Sequence, residues 1–353
     1  MDHATLLNSL IETVVKEGAS DLHLSEGRSP TLRVSGFLVP LSSVPPLSKE
    51  DTYGILGELL DPNQLARFKE KKEFDFAWPY KDIARFRGNA FIQQGAASIA
   101  LRLIPRKIKT IEELGLPVQI TDFARRSQGF FLLVGPVGQG KSTTLAALIE
   151  LINNERAEHI MTIEDPIEYV FEQKKSIIDQ REVNIDTETF ASALMHMFRQ
   201  DIDVAMIGEM RDPETISTAV TAAETGHLVF STLHTNTASQ TIDRIIDSFP
   251  STQQDQIRLQ LAGSLLGIFS QRLVPRISGG LIPACELLIN TPAVSNLIRE
   301  KRTHEVNTLI ETGMEQGMID LNRSLAEMVR RGDITVENAQ LHANNLKILE
   351  RLL

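Results

Sequence analysis

The most constraining feature of this 353-residue sequence is a glycine-rich motif between an apolar run and a helical pattern. Residues 135–142 read Gly-Pro-Val-Gly-Gln-Gly-Lys-Ser, directly after the apolar run at residues 130–134. Leucines and isoleucines at helical spacing follow the motif. Glycines in such a loop let successive backbone N–H groups turn toward phosphates. The context predicts a phosphate-binding P-loop (residues 135–142) between a strand and a helix, rather than a chance match to a short pattern.

We expect ATP and Mg²⁺ as the cofactors. P-loops serve kinases, GTPases and motors alike, so the acidic residues at other strand ends must decide between these classes. We expect Lys141 to neutralise the β- and γ-phosphates and the Ser142 hydroxyl to reach Mg²⁺. The predicted nucleotide-binding residues are Gly135, Pro136, Val137, Gly138, Gln139, Gly140, Lys141, Ser142 and Thr143.

Acidic residues follow two other apolar strands. Glu164 lies in the segment at residues 162–168, and Glu209 follows the run at 204–207. In a parallel sheet the ligand site lies beyond the carboxyl ends of the strands, where a carboxylate can hold Mg²⁺ or polarise the attacking water. The alternative is that both are solvated loop acids. Asp212 and Pro213 are better explained as the cap and first residue of a helix.

Two histidines lie at opposite ends of a further apolar strand. His234 follows the strand, so it can sense or contact the γ-phosphate, with a surface loop histidine as the alternative. His227 begins the strand, at the wrong end for the ligand, so we expect a structural role for it.

Three arginines lie outside the nucleotide-binding region. Arg85 and Arg87 alternate along one predicted strand and Arg102 lies on the next, so a hairpin would place all three on one sheet face. A positive charge delivered to the γ-phosphate, often by another subunit, assists phosphoryl transfer. We expect such delivery in trans; an incidental, solvated face is the alternative.

Composition restricts partners and location. The formal net charge of −10 argues against a nucleic-acid backbone as the main partner, since such proteins need a basic stripe. Cys285 is the single cysteine, so no intramolecular disulfide or cysteine zinc site can form, which favours a reducing compartment. The sequence shows no signal-peptide pattern and no apolar run near the about 18 residues that span a bilayer. We therefore expect a cytoplasmic protein that reaches the membrane through a partner.

The chain divides into two regions by its pattern of elements. Residues 1–109 read as a small α/β module with a turn at Ser35-Gly36, a helix running from Ser48 towards Lys72, and a polar linker at residues 105–110. From residue 110, apolar strands alternate with longer helices, which is typical of a parallel sheet covered on both faces. Residues from about 292 to 353 are predicted to be mainly helical.

Taken in order, the P-loop and the segments at residues 162–168, 208–212 and 231–235 resemble those of the type II/IV secretion ATPase superfamily. Within it, the sequence is most similar to the PilT/PilU group of pilus-retraction ATPases. The similarity runs from residue 18 to the carboxyl-terminal helices and includes residues 221–227, 242–247 and 293–300.

The resemblance implies a small PAS-like amino-terminal α/β domain, a RecA-like P-loop ATPase domain from residue 110, and a homohexameric ring. It implies Glu164 in an acidic box, Glu209 in an atypical Walker B motif that can also contact Mg²⁺, and His234 in a histidine box. Arginines of the amino-terminal domain would complete a site. The implied partners are an inner-membrane pilus platform protein, at the cytoplasmic face of that membrane, and a paralogous retraction ATPase.

Four positions separate this sequence from its relatives. Pilus-extension and secretion relatives usually carry a four-cysteine zinc module, which Cys285 alone cannot build, so retraction is favoured over extension. Ser295 and Met195 stand where arginine is common, Ile202 where proline is common, and Cys285 where histidine is usual. Because none is a P-loop, acidic-box or Walker B residue named above, we expect hydrolysis to survive. Whether the protein is a main or a divergent motor stays open.

The sequence therefore predicts a hexameric ATP-hydrolysing motor that powers type IV pilus retraction, and with it twitching motility. An accessory paralogue that modulates the main motor is the first alternative. A RecA-like nucleic-acid motor is disfavoured by the acidic balance. A non-catalytic, ATP-binding regulator is disfavoured because Lys141, Glu164 and Glu209 are all present.

Overall fold

The computed structural model describes residues 2–34, 36–81, 83–104 and 107–353. Ser35, in the predicted turn, and Pro105 and Arg106, in the predicted linker, lie outside the described residues. The chain separates into two compact units. The first comprises residues up to 107 together with 166–170, and the second comprises residues 108–165 and 171–353.

The first unit combines three helices with an antiparallel sheet. Its elements are α1 (His3–Lys16), β1 (Asp21–Leu24), β2 (Thr31–Val34), β3 (Phe37–Pro40), α2 (Lys49–Leu59), α3 (Pro62–Lys71), β4 (Glu73–Tyr80), β5 (Ala84–Gln93) and β6 (Ala96–Ile104). The strand order is β3-β2-β1-β6-β5-β4. Apolar side chains of α1 and α2, such as Ile11 and Leu56, pack with those of the sheet, such as Leu22 and Ile99, in one core.

The predicted helix from Ser48 towards Lys72 is wrong, because two helices cover this stretch. α2 does begin at a capping box formed by Ser48 and Asp51. Asp61 then caps a new helix, with Pro62 as its first residue. Proline lacks a backbone N–H and disfavours the helical conformation of the residue before it, so one continuous helix cannot pass this point.

β5 and β6 form the expected hairpin. In their antiparallel register Arg87 lies opposite Arg102. Buried residues alternate with partly exposed ones along β5, with Phe86 on the buried face between Arg85 and Arg87. The three arginines therefore share one sheet face, as predicted.

The second unit contains a larger sheet with helices. Its elements are α4 (Thr121–Ala124), β7 (Gly129–Val134), α5 (Lys141–Glu155), β8 (His159–Glu164), β9 (Ile177–Glu182), α6 (Phe190–Met197), β10 (Val204–Ile207), α7 (Pro213–Glu224), β11 (Leu228–Leu233), α8 (Ala238–Asp247), α9 (Ser251–Ser264), β12 (Leu265–Pro275), β13 (Leu281–Ile289), α10 (Pro292–Arg299), α11 (Val306–Thr312), α12 (Leu321–Arg330), α13 (Val336–His342) and α14 (Leu346–Leu352). The strand order is β13-β12-β7-β11-β10-β8-β9.

All neighbouring strands of this sheet pair in parallel except β12 and β13. β7, β8, β10 and β11 match the apolar runs in the sequence, and all six residues of β7 are buried. The helical carboxyl-terminal region is also confirmed. β9, β12 and β13 were not predicted. Within the described residues, no helix is both long enough and apolar enough to cross a bilayer.

Candidate active site

The strand order of the second unit brings the predicted residues to one edge of the sheet. β7, β11, β10 and β8 are successive neighbours. The P-loop follows β7, His234 follows β11, Glu209 comes two residues after β10, and Glu164 is the last residue of β8. Because parallel strands end at the same edge, the fold itself gathers these side chains.

The P-loop joins β7 to α5 with backbone that only glycine adopts readily. Gly135 has φ +142°, and a Cβ added to it would lie 2.5 Å from the backbone oxygen of Gln271. Gly140 has φ +80° and caps α5, so Lys141 and Ser142 occupy the first turn of that helix. The positive end of the α5 dipole therefore points at the loop, which suits a bound anion.

The Lys141 ammonium is buried and bridges the P-loop to the next strand end. Its Nζ donates to the backbone oxygens of Gly135 at 2.7 Å and Pro136 at 2.9 Å, and lies 3.3 Å from His234 Nδ1. An ammonium can only donate, so His234 Nδ1 is the acceptor in this contact.

Glu209 continues this line of polar groups. Its Oε2 lies 3.7 Å from His234 Nε2, and its other oxygen accepts a hydrogen bond from Arg211. That hydrogen bond raises the pKa of the Arg211 guanidinium. Lys141, His234, Glu209 and Arg211 thus form a chain of alternating donors and acceptors across three strand ends.

Hydroxyl groups of β11 fix the backbone that carries Glu209. Thr232 Oγ1 donates to the oxygen of Gly208 at 2.7 Å, and Ser231 Oγ donates to the oxygen of Ile207 at 2.9 Å. On the other side, the Gly208 N–H donates to the oxygen of Ile163 at 2.8 Å. Since both neighbouring strands hold Gly208, the position of Glu209 is set by the sheet rather than by a free loop.

Glu164 is a buried carboxylate with side-chain donors. It is 6% exposed, and its Oε1 accepts from Thr162 Oγ1 at 2.7 Å and from Gln180 Nε2 at 3.2 Å. The Glu209 side chain is 19% exposed. Neither residue is therefore a solvated loop acid, the alternative that the sequence left open.

The remaining P-loop residues lie between the solvent and a cavity. Val137 is 80% exposed, whereas Ser142 and Thr143 are half-buried. A cavity of about 230 Å³ adjoins the loop. Its wall combines leucines, such as Leu114 and Leu273, with polar side chains that include Lys109, Glu113 and Gln271. A cavity of mixed polarity beside a phosphate-binding loop can accommodate a nucleoside.

The three predicted arginines lie in the first unit. Arg102 Nε donates to the buried Asp21 carboxylate at 2.8 Å, while the Arg102 side chain stays 67% exposed. Arg87 Nη1 lies 3.7 Å from Glu168 Oε1, within the same unit. Arg85 is half-buried on the same sheet face. Their part in hydrolysis stays a prediction.

The structural roles expected for two other sites are confirmed. His227 precedes β11, where its Nδ1 lies 3.0 Å from the oxygen of Ala222 and its ring contacts Phe198 edge to face. Asp212 caps α7 through the Thr215 N–H, with Pro213 as the first helical residue.

At the positions that depart from the family pattern, the structure shows local contacts. Ser295 Oγ donates to the oxygen of Ala262 and lies 3.0 Å from Asn290 Oδ1. Cys285 and Ile202 are buried, and Met195 is 52% exposed. Burial raises the pKa of the Cys285 thiol.

Sequence reasoning missed several residues that shape this site. They are Thr162, Gln180, Arg211, Thr232 and Gln271. Thr162, Arg211 and Thr232 lie in or beside recognised strand ends, so the rule that parallel strands end together could have found them. No comparable signal pointed to Gln180 or Gln271, because their strands, β9 and β12, were not predicted.

Comparison with known proteins identifies the family. Residues 67–347 match the family described as type II/IV secretion system protein. The type IV pilus retraction ATPase PilT of Pseudomonas aeruginosa is 44% identical, with 95% of this chain and 97% of that protein covered. The type IV pilus ATPase PilU of the same bacterium is 40% identical, covering 97% and 91%.

Structural comparison agrees. The crystal structure of the pilus retraction motor PilT with bound ADP superimposes with a TM-score of 0.91 at 45% identity, covering 97% of this chain and 98% of that one. This confirms the predicted fold class: an α/β protein whose second unit is a RecA-like P-loop ATPase. The chain belongs to the type II/IV secretion system protein family and is a nucleotide-binding ATPase of that family.

Proposed function

We propose that this protein is an ATP-hydrolysing motor that powers retraction of a type IV pilus. The observation that carries the proposal is the line of contacts from Lys141 through His234 to Glu209, at three neighbouring strand ends. It is supported by the similarity to PilT over nearly the whole chain.

The P-loop would bind the phosphates of ATP. Lys141 now donates to two carbonyl oxygens of its own loop. A bound phosphate would take over part of this hydrogen bonding and place the positive charge on the β- and γ-oxygens. The cavity beside Gly140 would take the nucleoside.

The residues at the site suit Mg²⁺. The Ser142 hydroxyl and the carboxylates of Glu164 and Glu209 are hard oxygen donors, which Mg²⁺ prefers. Ser142 and Glu209 would hold the ion, which would neutralise charge that develops on the phosphates. Glu164, held by hydrogen bonds from Thr162 and Gln180, would orient and deprotonate the attacking water.

His234 would report the state of the nucleotide. Its Nδ1 faces Lys141 and its Nε2 faces Glu209, so any shift of the lysine toward a γ-phosphate removes one partner of the ring. Without that contact, His234 and the end of β11 would shift, which would couple phosphate binding to the adjoining elements.

We further propose that the protein works as a homohexamer in which arginines of the first unit complete the site of another subunit. The arginine face formed by half-buried Arg85 with Arg87 and Arg102, whose side chains are partly exposed beside Glu168 and Asp21, would supply the positive charge. The partners would be an inner-membrane platform protein at the cytoplasmic face and a PilU-like paralogue. Two such ATPases, PilT and PilU, occur in Pseudomonas aeruginosa.

The test is genetic and uses one engineered variant. The gene is deleted in a piliated host, and wild-type or Lys141→Ala protein is supplied from a plasmid. We expect the deletion to abolish pilus retraction and surface motility, the wild type to restore both, and the variant to restore neither. Unchanged retraction after deletion, in a host without a second retraction ATPase, would overturn the proposal.

A further inference from the structure

Gln271 is a buried amide on the strand beside the P-loop. β12 pairs in parallel with β7 up to the pair Ser270 and Val134, so residue 271 lies beside Gly135, where the loop begins. Gln271 is only 4% exposed. A buried amide without hydrogen-bond partners destabilises the folded state, so the partners of Gln271 decide whether it is tolerated there.

Both ends of this amide bind the P-loop and the helix that follows it. Gln271 Nε2 donates to the backbone oxygen of Gln139 at 2.7 Å. Gln271 Oε1 accepts from Thr144 Oγ1 at 2.7 Å. Because Gln139 lies in the loop and Thr144 in the first turn of α5, one side chain connects the two segments.

A glutamine of the P-loop also bonds to β12. Gln139 Oε1 accepts from the backbone N–H of Leu273 at 2.7 Å. Gln139 in the P-loop therefore bonds to the backbone of β12, and Gln271 in β12 bonds to the backbone of the P-loop. A further hydrogen bond, from Thr144, joins α5 to Gln271.

Gln271 also lies against two P-loop glycines. A Cβ on Gly135 would be 2.5 Å from its backbone oxygen, and a Cβ on Gly140 would be 2.9 Å from its Nε2. The close approach at both ends of the loop means that β12, as well as the loop's own dihedral angles, determines the path of the backbone.

We propose that Gln271 is a positioning residue that holds the P-loop in its phosphate-binding shape. It acts on the phosphate site through Gln139 and Thr144, and its side chain also borders the cavity that would take the nucleoside. Pre-organising the loop lowers the ordering cost of nucleotide binding, so removing the amide weakens binding as well as turnover. The inference deepens the proposed ATP site and depends on it.

The experiment uses full-length protein and a nearly isosteric variant, Gln271→Met, which keeps side-chain volume but removes both hydrogen bonds. ADP affinity is measured by calorimetry, Mg-ATP turnover by phosphate release, and Tm without nucleotide. The matched control is Asn153→Leu. Asn153 is a fully buried amide that donates to the Glu172 oxygen and accepts from the Lys174 N–H, at the far end of α5.

We expect Gln271→Met to weaken ADP binding about tenfold. Asn153→Leu should lower Tm by about as much as Gln271→Met does, but leave ADP affinity within about twofold of the wild type. Thr144→Val should reproduce part of the loss and Thr144→Ser should bind ADP like the wild type. These two variants also serve if Gln271→Met does not fold.

Wild-type ADP affinity and wild-type KM in Gln271→Met, with only Tm reduced, would overturn the positioning role and leave the proposed function intact. A wild-type protein that binds no ADP would instead overturn the nucleotide site, and the positioning role with it.

Discussion

The two units of this molecule hold their charged groups in different ways. In the second unit, Lys141 and Glu164 are buried and have named partners within the unit. In the first unit, Arg87 and Arg102 lie on a sheet face with side chains 39% and 67% exposed. The groups of the second unit are therefore enclosed, whereas the arginines of the first unit pair with Glu168 and Asp21 and still keep part of their side chains exposed.

This difference follows from topology. Parallel strands bring residues distant in sequence to one edge, where neighbouring strands bury them and supply partners. An antiparallel hairpin instead alternates its residues between two faces, so one face packs and the other stays polar. In the proposed function, the second unit binds and cleaves nucleotide, while the arginine face of the first unit acts on the site of another subunit. The following predictions test both halves of that statement.

The largest effect is expected at Lys141. Replacing it by alanine removes the positive charge that would neutralise the phosphates. It also removes the hydrogen bonds to Gly135 and Pro136 that shape the loop. We expect Lys141→Ala to lower Mg-ATP turnover by at least about 10³-fold. Lys301→Ala, which removes an exposed lysine paired with Asp255, is the control and should hydrolyse ATP like the wild type. Appreciable turnover by Lys141→Ala would show that the site lies elsewhere.

A smaller loss is expected at Glu209. Glu209→Gln keeps the size of the side chain but removes the negative charge that faces His234 and Arg211. We expect about 10²-fold slower turnover with ADP affinity within about threefold of wild type. Phosphate release and calorimetry measure the two quantities, and Glu214→Gln, on the exposed first turn of α7, is the control. Equal losses of ADP binding and turnover would assign Glu209 to binding alone.

Burial in the second unit should also make stability depend on pH, at Glu286. Burial raises the pKa of this carboxyl to about 7. Its Oε1 accepts from the Ala238 N–H at 2.9 Å; nearby Asp320 raises the pKa further, and the Ala238 N–H and Arg272 lower it. Between its ordinary pKa of 4.5 and about 7, the folded protein binds more protons than the unfolded chain, so stability falls as pH rises through this window.

Glu286→Gln removes that titration and can keep the bond from Ala238. Relative to the wild type, the variant should therefore gain roughly 3 kcal/mol in free energy of unfolding between pH 4.5 and 8. Chemical denaturation across this range measures the gain. Glu305→Gln is an opposite-sign control, because a hydrogen bond from exposed Arg302 lowers the pKa of Glu305. A constant difference between Glu286→Gln and wild type would contradict the assignment.

The smallest effect is expected in the first unit, at Arg102. Its ion pair with Asp21 is exposed on the arginine side and contributes at most about 1 kcal/mol to stability. Arg102→Ala should nevertheless lower turnover about tenfold with unchanged ADP affinity, because the charge acts in the transition state. Mixing Arg102→Ala subunits with Lys141→Ala subunits should restore more activity than the sum of the two. If Arg102→Ala lowered ADP affinity as much as it lowers turnover, Arg102 would act in nucleotide binding, and the proposed division of roles between the two units would be wrong.

Much of the site could be predicted because its signals are local. The P-loop, β7 and α5 are contiguous in sequence, and Glu164, Glu209 and His234 follow apolar runs that form parallel strands. The rule for strand ends then places them together without knowledge of the strand order. The expected alternation of Arg85, Arg87 and Arg102 was confirmed for the same reason, since it depends only on the two-residue period of a strand.

The parts that could not be predicted depend on distant pairing. β12 follows α9 directly, and its pairing with β7 joins residues more than a hundred positions apart, so the position of Gln271 beside Gly135 has no local signature. The break between α2 and α3, in contrast, has a local signal, because Asp61 and Pro62 form a recognisable helix start. The prediction of one helix from Ser48 towards Lys72 did not use that signal.

The measurement that tests the account most directly is Mg-ATP turnover per subunit as the purified protein is diluted, with molecular mass measured at each concentration. The account predicts hydrolysis by assembled rings and a steep fall in specific activity as they dissociate, because a P-loop in one subunit needs the arginine face of another. Constant specific activity in a sample shown to be monomeric, or no hydrolysis by intact rings, would contradict it.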